Sequence, residues 1–131
     1  MTVCVMTNRD IYSVALSVLG EQAEDCADYE ERAPALIGVA VTEYGKRDEA
    51  YRTANGVQNV DGTMTVVQSL DSDFPLSDCF AVAVCYRLAG MLVERENPDF
   101  ATRCFSHAEA SAERVLREQT PAEVHPIRPN C

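Results

Sequence analysis

The sequence predicts an all-α fold, a small four-helix bundle with a long middle loop or arm and an extended, proline-rich C-terminal tail. Apolar residues recur at three- and four-residue spacing in separate segments, as in helices with one buried face. Helix-capping sequences precede the first and the last of these segments, Thr7-Asn-Arg-Asp10 and Asn97-Pro98. The chain has 131 residues, the usual size of one domain, and we assign residues 1–118 to a single helical domain.

The first two helices are predicted from their caps and apolar faces. Helix 1 should run from about residue 8 to residue 19, with Gly20 as its C-terminal cap. Helix 2 should run from about Asp28 to Tyr44, and its buried face comprises Leu36, Ile37, Ala40, Val41 and Tyr44. Pro34 favours a first turn near Arg32 or Ala33, because proline cannot donate a helical hydrogen bond. The polar residues 46–55 are compatible with either continuation or fraying of helix 2.

The middle of the chain, residues 54–75, is predicted to be an arm. Glycine, asparagine and aspartate punctuate it, and the β-branched residues of Thr63–Val67 favour a short strand or an extended segment. It is too long for an ordinary helix connection. An arm that reaches a neighbouring subunit and a mobile loop both fit this pattern.

The last two helices are predicted to form a core hairpin joined at Asn97-Pro98. Helix 3 begins after Ser77 as its N-cap, and its body, Cys79–Val93, is apolar nearly all round, so most of its sides should be buried. Gly90 permits close approach of a neighbouring helix. Helix 4 carries an apolar stripe of Ala101, Cys104, Phe105, Ala108, Ala112, Val115 and Leu116. Residues 119–131 contain three prolines and form the extended tail, which either docks on a protein surface or stays disordered.

Charge and hydropathy exclude several functional classes. The net charge is −10, which argues against binding nucleic acid through a basic patch and against an anionic membrane surface. No window approaches 18 consecutive apolar residues, and the N-terminal residues do not resemble a signal peptide. We therefore expect a cytosolic product with reduced cysteines and no membrane partner.

The densest charge feature is a group of six acidic residues between positions 21 and 31: Glu21, Glu24, Asp25, Asp28, Glu30 and Glu31. It is either a solvated turn leading into a helix N-terminus, where acids favour the helix dipole, or a functional acidic surface.

Catalytic and metal-binding patterns are not evident, so we expect neither an enzyme nor a cofactor. Cys104 and His107 have a plausible spacing for a pair of zinc ligands, but Cys79 and Cys85 in the neighbouring helix are six residues apart and face opposite sides. The glycines do not form a phosphate-binding loop, and no nucleophile-elbow motif occurs. The cysteines are interpreted as small core residues.

Two motifs resemble those of a known family. Tyr29-Glu-Glu-Arg-Ala-Pro34 opens helix 2, and Leu70-Asp-x-x-x-Pro75-Leu precedes helix 3. Together with the order of helices over residues 7–118, they resemble the head–tail connector proteins, also called adaptor or head-completion proteins, of long-tailed double-stranded DNA phages and prophages. The alternative from the residues alone is a small cytosolic helical regulatory or adaptor protein that binds a host partner.

The resemblance implies a structural virion protein of the neck region, assembled in the host cytoplasm. It implies a ring, typically a dodecamer, that sits under the portal protein, lengthens the DNA channel and docks the next neck or tail-completion protein. The six acidic residues would then be candidates for a channel wall that repels the passing duplex. Candidate subunit or portal contacts lie in the arm and in the tail: Thr63, Met64, Val66, Val67, Val124, Pro126, Ile127 and Pro129.

Overall fold

The computed structural model describes residues 6–20, 28–54 and 69–119. These residues are mostly helical, which confirms the all-α class. Four α-helices are present, α1 (Asn8–Leu19), α2 (Tyr29–Ala54), α3 (Ala81–Val93) and α4 (Pro98–Gln119), and a 3-10 turn, Asp78–Phe80, leads into α3. The described ranges contain no strand, only an isolated antiparallel bridge between Thr7 and Asp73. The strand considered for Thr63–Val67, the tail 120–131 and the first three acids of the 21–31 group lie outside these residues.

The ends of α1 follow the prediction. The Thr7 hydroxyl accepts the backbone N–H of Asp10, and an Asp10 carboxylate oxygen accepts the N–H of Thr7 at 3.0 Å, so both halves of the capping box are formed. Gly20 ends the helix with a φ of 53°, in the region that a residue without a side chain adopts most easily. The sequence therefore located both ends of α1.

Helix α2 is longer than predicted at its C-terminal end. It begins at Tyr29, so Pro34 is its sixth residue rather than part of its first turn. The N–H of Arg32 already bonds the carbonyl of Asp28 at 3.1 Å, which starts the helix before the proline. Only the bond that residue 34 would donate to the Glu30 carbonyl is missing. The predicted start near Asp28 is therefore confirmed to within one residue. The later first turn near Arg32 or Ala33, which Pro34 had left open, is not observed, because one lost bond near the helix start does not stop the helix.

The polar C-terminal half of α2 continues as helix because it has a second set of contacts. Tyr51 packs edge-on against Phe80, with the ring centroids 6.2 Å apart, and Tyr44 stacks on the same ring. Asp48 is buried in this half. The buried face of α2 is therefore apolar in its first half and aromatic and ionic in its second half, and the helix is continuous across both.

Helix α3 lies at the centre and contacts α1, α2 and α4. Val84, Leu88 and Leu92 are fully buried, which confirms the nearly all-round burial expected from its composition. Burying side chains of this size contributes roughly 1.5–3 kcal/mol each. At Gly90 an added Cβ would come within 2.5 Å of the Phe105 ring, so the glycine lets α4 approach closely.

Helix α4 begins as the sequence indicates. The Asn97 side-chain oxygen accepts the N–H of Phe100 at 3.1 Å, and Pro98 occupies the first helical position. The predicted stripe faces the core: Ala101, Cys104, Ala108 and Ala112 are buried, and Phe105, Val115 and Leu116 are partly buried against the core.

Candidate functional site

The start of α1 holds the segment that returns from the middle of the chain. The backbone N–H groups of Asn8 and Arg9 donate to the carbonyls of Ser72 and Leu70, at 3.0 and 2.7 Å. The first N–H groups of a helix have no partner within the helix, so a distant segment here supplies one. The buried Asn8 amide also donates to the Ser72 carbonyl at 3.1 Å and to the Ser72 hydroxyl at 3.2 Å. Residues 69–74 are therefore fixed to α1 by main-chain and side-chain bonds.

Arg9 connects the start of α2 with the segment of residues 69–74. Its Nε donates to an Asp71 carboxylate oxygen at 3.1 Å, and its Nη1 lies 3.4 Å from a carboxylate oxygen of Glu30. Hydrogen bonds to Asp71 and Glu30 raise the pKa of the Arg9 guanidinium. Because these side chains are largely exposed, the pairs orient the two segments more than they stabilise the fold.

A second contact holds the other end of the same segment. Asp48 of α2 is buried, and its carboxylate accepts the N–H of Ser77 at 3.0 Å and pairs with the Arg52 Nε at 2.8 Å. Arg52 also donates to the Pro75 carbonyl at 3.4 Å. The carboxylate thus ties the last turns of α2 to the approach to α3.

These two contacts define what we call the arm base: Asn8 and Arg9 of α1, Asp48 and Arg52 of α2, and residues 69–77. The described part of the predicted arm, residues 69–75, lies against the helices, with Leu70 and Phe74 buried. Residues 55–68 connect Ala54 to Ser69 and lie outside the described residues. Their candidate contacts Thr63, Met64, Val66 and Val67, like Val124, Pro126, Ile127 and Pro129 of the tail, are not placed by the structure.

The described members of the acidic group lie at the N-terminal end of α2. Asp28, Glu30 and Glu31 are exposed, and Glu21, Glu24 and Asp25 fall outside the described residues. Two of the three have basic partners, because Asp28 lies 3.7 Å from Arg32 and Glu30 pairs with Arg9.

More acidic residues join this end of the molecule from elsewhere in the chain. The Tyr29 hydroxyl donates to a Glu96 carboxylate oxygen at 3.3 Å, and burial and that carboxylate raise the pKa of Tyr29. Glu94 and Glu96 in the turn after α3 are exposed, as is Asp71. We call Asp28, Glu30, Glu31, Asp71 and Glu96 the acidic end. The sequence gives no sign of the last two, because only the packing of α3 and residues 69–74 brings them here.

A polar cluster between α2, α3 and α4 was also missed. Arg87 pairs with Glu43 at 2.7 Å, and Arg47 pairs with Glu109 at 2.6 Å. Beneath them the Tyr44 ring is buried, and burial raises its pKa while the two arginines lower it. Each pair joins residues more than 40 positions apart, so no local spacing indicates it. The cluster fixes how the three helices pack and leaves no unpaired charge among its four ionised groups.

The described cysteines Cys85 and Cys104 lie in the core, and Cys79 packs against it. Cys85 and Cys104 are buried, and burial raises the pKa of the Cys85 thiol to about 12 and that of Cys104 in the same direction. Such thiols are poor nucleophiles because the thiolate is the reactive form. Cys79 shares a hydrogen bond with the Tyr51 side chain. Across residues 6–20, 28–54 and 69–119, no three His, Cys, Asp or Glu side chains are grouped to hold a metal ion.

Comparison with known proteins finds no matching family model, no matching curated protein and no matching solved structure. Within the part of the chain that the structure describes, no helix has both the length and the apolar character needed to span a membrane.

Proposed function

We propose that this protein is a head–tail connector of a long-tailed phage or prophage, a structural component of the virion neck and not an enzyme. Its helices form one four-helix bundle, and copies of the bundle assemble into a ring beneath the portal protein. The ring extends the DNA channel and docks the next neck or tail-completion protein. Assembly takes place in the host cytoplasm.

The observation that carries the proposal is the junction at Arg9. The two sequence motifs of the resemblance, Tyr29–Pro34 and Leu70–Leu76, are 36 positions apart at their closest. Arg9 contacts Glu30 in the first and Asp71 in the second. Two motifs that resemble the same family and are linked in the fold support a common structural role. Two segments that resembled the family only by chance would have no reason to be linked.

The arm base supports the same role. Both ends of residues 55–68 are attached to fixed helices, at Arg52 on one side and at Ser69 and Ser72 on the other. We propose that residues 55–68 carry contacts to a neighbouring subunit or the portal, since a contact segment transmits binding only if its ends are held. The proline-rich tail, residues 119–131, contributes a second contact of this kind.

The net charge of −10 supports a channel role. A wall that repels phosphates lets a duplex pass without binding it, and the proposal assigns this wall to acids of the 21–31 group. Neutralising Glu24, Asp25, Asp28, Glu30 and Glu31 together is expected to leave ring formation intact and to slow DNA passage in a complemented phage. Unchanged infectivity would argue against a channel position.

The decisive experiment mixes the purified protein with the portal protein encoded in the same genome. Negative-stain images should show added ring density at the narrow end of the portal. A single-residue test variant is Arg9→Ala, which removes the contacts to Asp71 and Glu30 and should weaken portal binding while circular dichroism stays unchanged. A protein that adds no density to the portal would refute the connector role, and capture of a host protein instead would favour the regulatory alternative.

A further inference from the structure

Buried polar atoms without a hydrogen-bond partner are concentrated in the polar cluster between α2, α3 and α4. Residues 6–20, 28–54 and 69–119 contain four such side-chain atoms, and three of them belong to this cluster: the Tyr44 hydroxyl, Arg47 Nη1 and Arg87 Nε. The fourth, Asn8 Oδ1, lies at the start of α1. Buried polar atoms in native proteins nearly always have a partner, so three of them in one cluster point to a bound group that supplies it.

The two ion pairs of the cluster do not use these atoms. Arg47 bonds Glu109 through Nη2 at 2.6 Å, and Arg87 bonds Glu43 through Nη2 at 2.7 Å. Each guanidinium therefore keeps a second buried N–H group that its carboxylate does not accept. Tyr44 is 2% exposed, so its hydroxyl does not reach solvent either. Burial of a polar group without a partner costs free energy, and a ligand shared by the three groups would remove that cost.

The three groups lie around the same tyrosine. The Arg47 guanidinium carbon is 5.5 Å from the centre of the Tyr44 ring. Burial raises the pKa of Tyr44, the charges of Arg87 and Arg47 lower it, and those of the two glutamates raise it, so all four ionised groups act on this hydroxyl. Two hydrogen bonds through one water molecule span about 5.5 Å, which is the scale of these separations.

The charge of the cluster indicates the class of ligand. Two arginines and two glutamates sum to zero, and the whole chain has a net charge of −10, so the cluster offers no excess of positive charge to an anion. Buried water molecules typically make about three hydrogen bonds to polar groups that are otherwise unsatisfied. We propose that one water molecule is bound in the polar cluster, where it accepts hydrogen bonds from Arg47 Nη1 and Arg87 Nε and donates one to the Tyr44 oxygen. This inference does not depend on the connector role.

The sign of one stability change tests the bound water. With the water in place, Tyr44→Phe removes a hydrogen bond and should lower the equilibrium constant for folding roughly fivefold in guanidinium titrations. A hydroxyl buried without a partner would instead be unfavourable, so an unchanged or larger constant in Tyr44→Phe overturns the inference. Tyr29→Phe is the matched control, because the Tyr29 hydroxyl has a protein partner, Glu96 at 3.3 Å, and its removal should lower the constant.

A crystal structure of the wild-type protein locates the ligand directly. Density for one water molecule should lie within about 2.7–3.2 Å of the Tyr44 oxygen, Arg47 Nη1 and Arg87 Nε. A site without density, or a Tyr44 hydroxyl bonded directly to a glutamate, overturns the inference. A crystal soaked in sodium bromide separates water from a halide, since anomalous scattering at this position would identify a small anion as the ligand and overturn the assignment to water.

A double-mutant cycle tests whether one water molecule joins two of the groups. Arg87→Lys keeps a cation for Glu43 but has no Nε–H group. Because each single variant already disturbs a shared water, Tyr44→Phe combined with Arg87→Lys should lower the folding constant by clearly less than the product of the two single effects. Single effects that multiply would show that Tyr44 and Arg87 act independently, and the shared water would then be overturned.

Discussion

The buried carboxylate of Asp48 should be the most costly single polar side chain to remove from the arm base. Its side chain is 3% exposed and has two partners, Arg52 at 2.8 Å and the N–H of Ser77 at 3.0 Å. In Asp48→Ala the Ser77 N–H loses its acceptor, which costs about 1–3 kcal/mol. Arg52 loses its counter-ion, and removing one partner of a buried pair costs about 3–5 kcal/mol.

The energetic cost assigned to Arg52 must be reduced, because the Arg52 side chain is 18% exposed and keeps its hydrogen bond to the Pro75 carbonyl. We therefore expect Asp48→Ala to lower the free energy of unfolding by about 3 kcal/mol in total. That is a large fraction of the about 5–15 kcal/mol typical of a small domain.

Asp48→Asn separates the two contributions. An amide oxygen can still accept the Ser77 N–H but carries no charge for Arg52, so the loss should be about half that of the alanine variant. Guanidinium denaturation followed by circular dichroism at fixed pH measures the free energy of unfolding of both variants. A matched control is Glu49→Ala, one position along the same helix and exposed, which should change stability by less than about 0.5 kcal/mol. The buried ion pair does not stabilise the fold as argued if Asp48→Ala lowers the free energy of unfolding by less than about 1 kcal/mol, or if Asp48→Ala and Asp48→Asn lower it equally.

Three further predictions use other contacts. Gly90→Ala should destabilise the protein by about 1–2 kcal/mol, because overpacking against the Phe105 ring outweighs the better helix propensity of alanine. In denaturant titrations, adding Phe105→Leu to the same chain should recover most of this loss. Burial raises the pKa of the Cys85 thiol to about 12, above its unfolded value of roughly 8.5. The thiol therefore contributes fully to stability below the unfolded pKa, and this contribution is lost as the pH rises toward 12. Cys85→Ala should lose stability less steeply than the wild type over that pH range, and equal slopes for the two proteins would contradict the raised pKa. Truncation after Gln119 should preserve helicity, since α4 ends there, but weaken assembly; loss of helical circular dichroism or of soluble expression would contradict this.

Local signals in the sequence predicted the helices well, and long-range contacts explain what they did not predict. The Thr7–Asp10 capping box and the Asn97 cap are made between residues three apart, so their spacing alone indicates them. Gly90 was predicted as a point of close approach from its size, but only the structure shows that Phe105 fills the space.

The candidate site could be predicted only in part for the same reason. The acidic residues near the start of α2 are visible as a dense run of charge. Asp48, in contrast, looks like one of several charged residues in a polar stretch, and it becomes a buried anchor only because Ser77 and Pro75 return to it. A single buried carboxylate does not create a periodic sequence pattern that would indicate its burial. Its partner at position 77 is too far along the chain for local spacing to predict the contact.

The distribution of arginines links the fold to the proposed assembly. In the described residues, the arginines of α1, α2 and α3 are all paired with carboxylates and hold the helices and residues 69–77 together. Those of α4 face outward without such partners, on a protein whose charge of −10 would otherwise make copies repel one another. A ring of like-charged subunits needs local attraction wherever two copies meet. In the proposed ring, exposed cations that have no carboxylate partner among the described residues can supply it; these are Lys46, Arg95 and the arginines of α4. The overall excess of acid would still disfavour binding of a passing duplex.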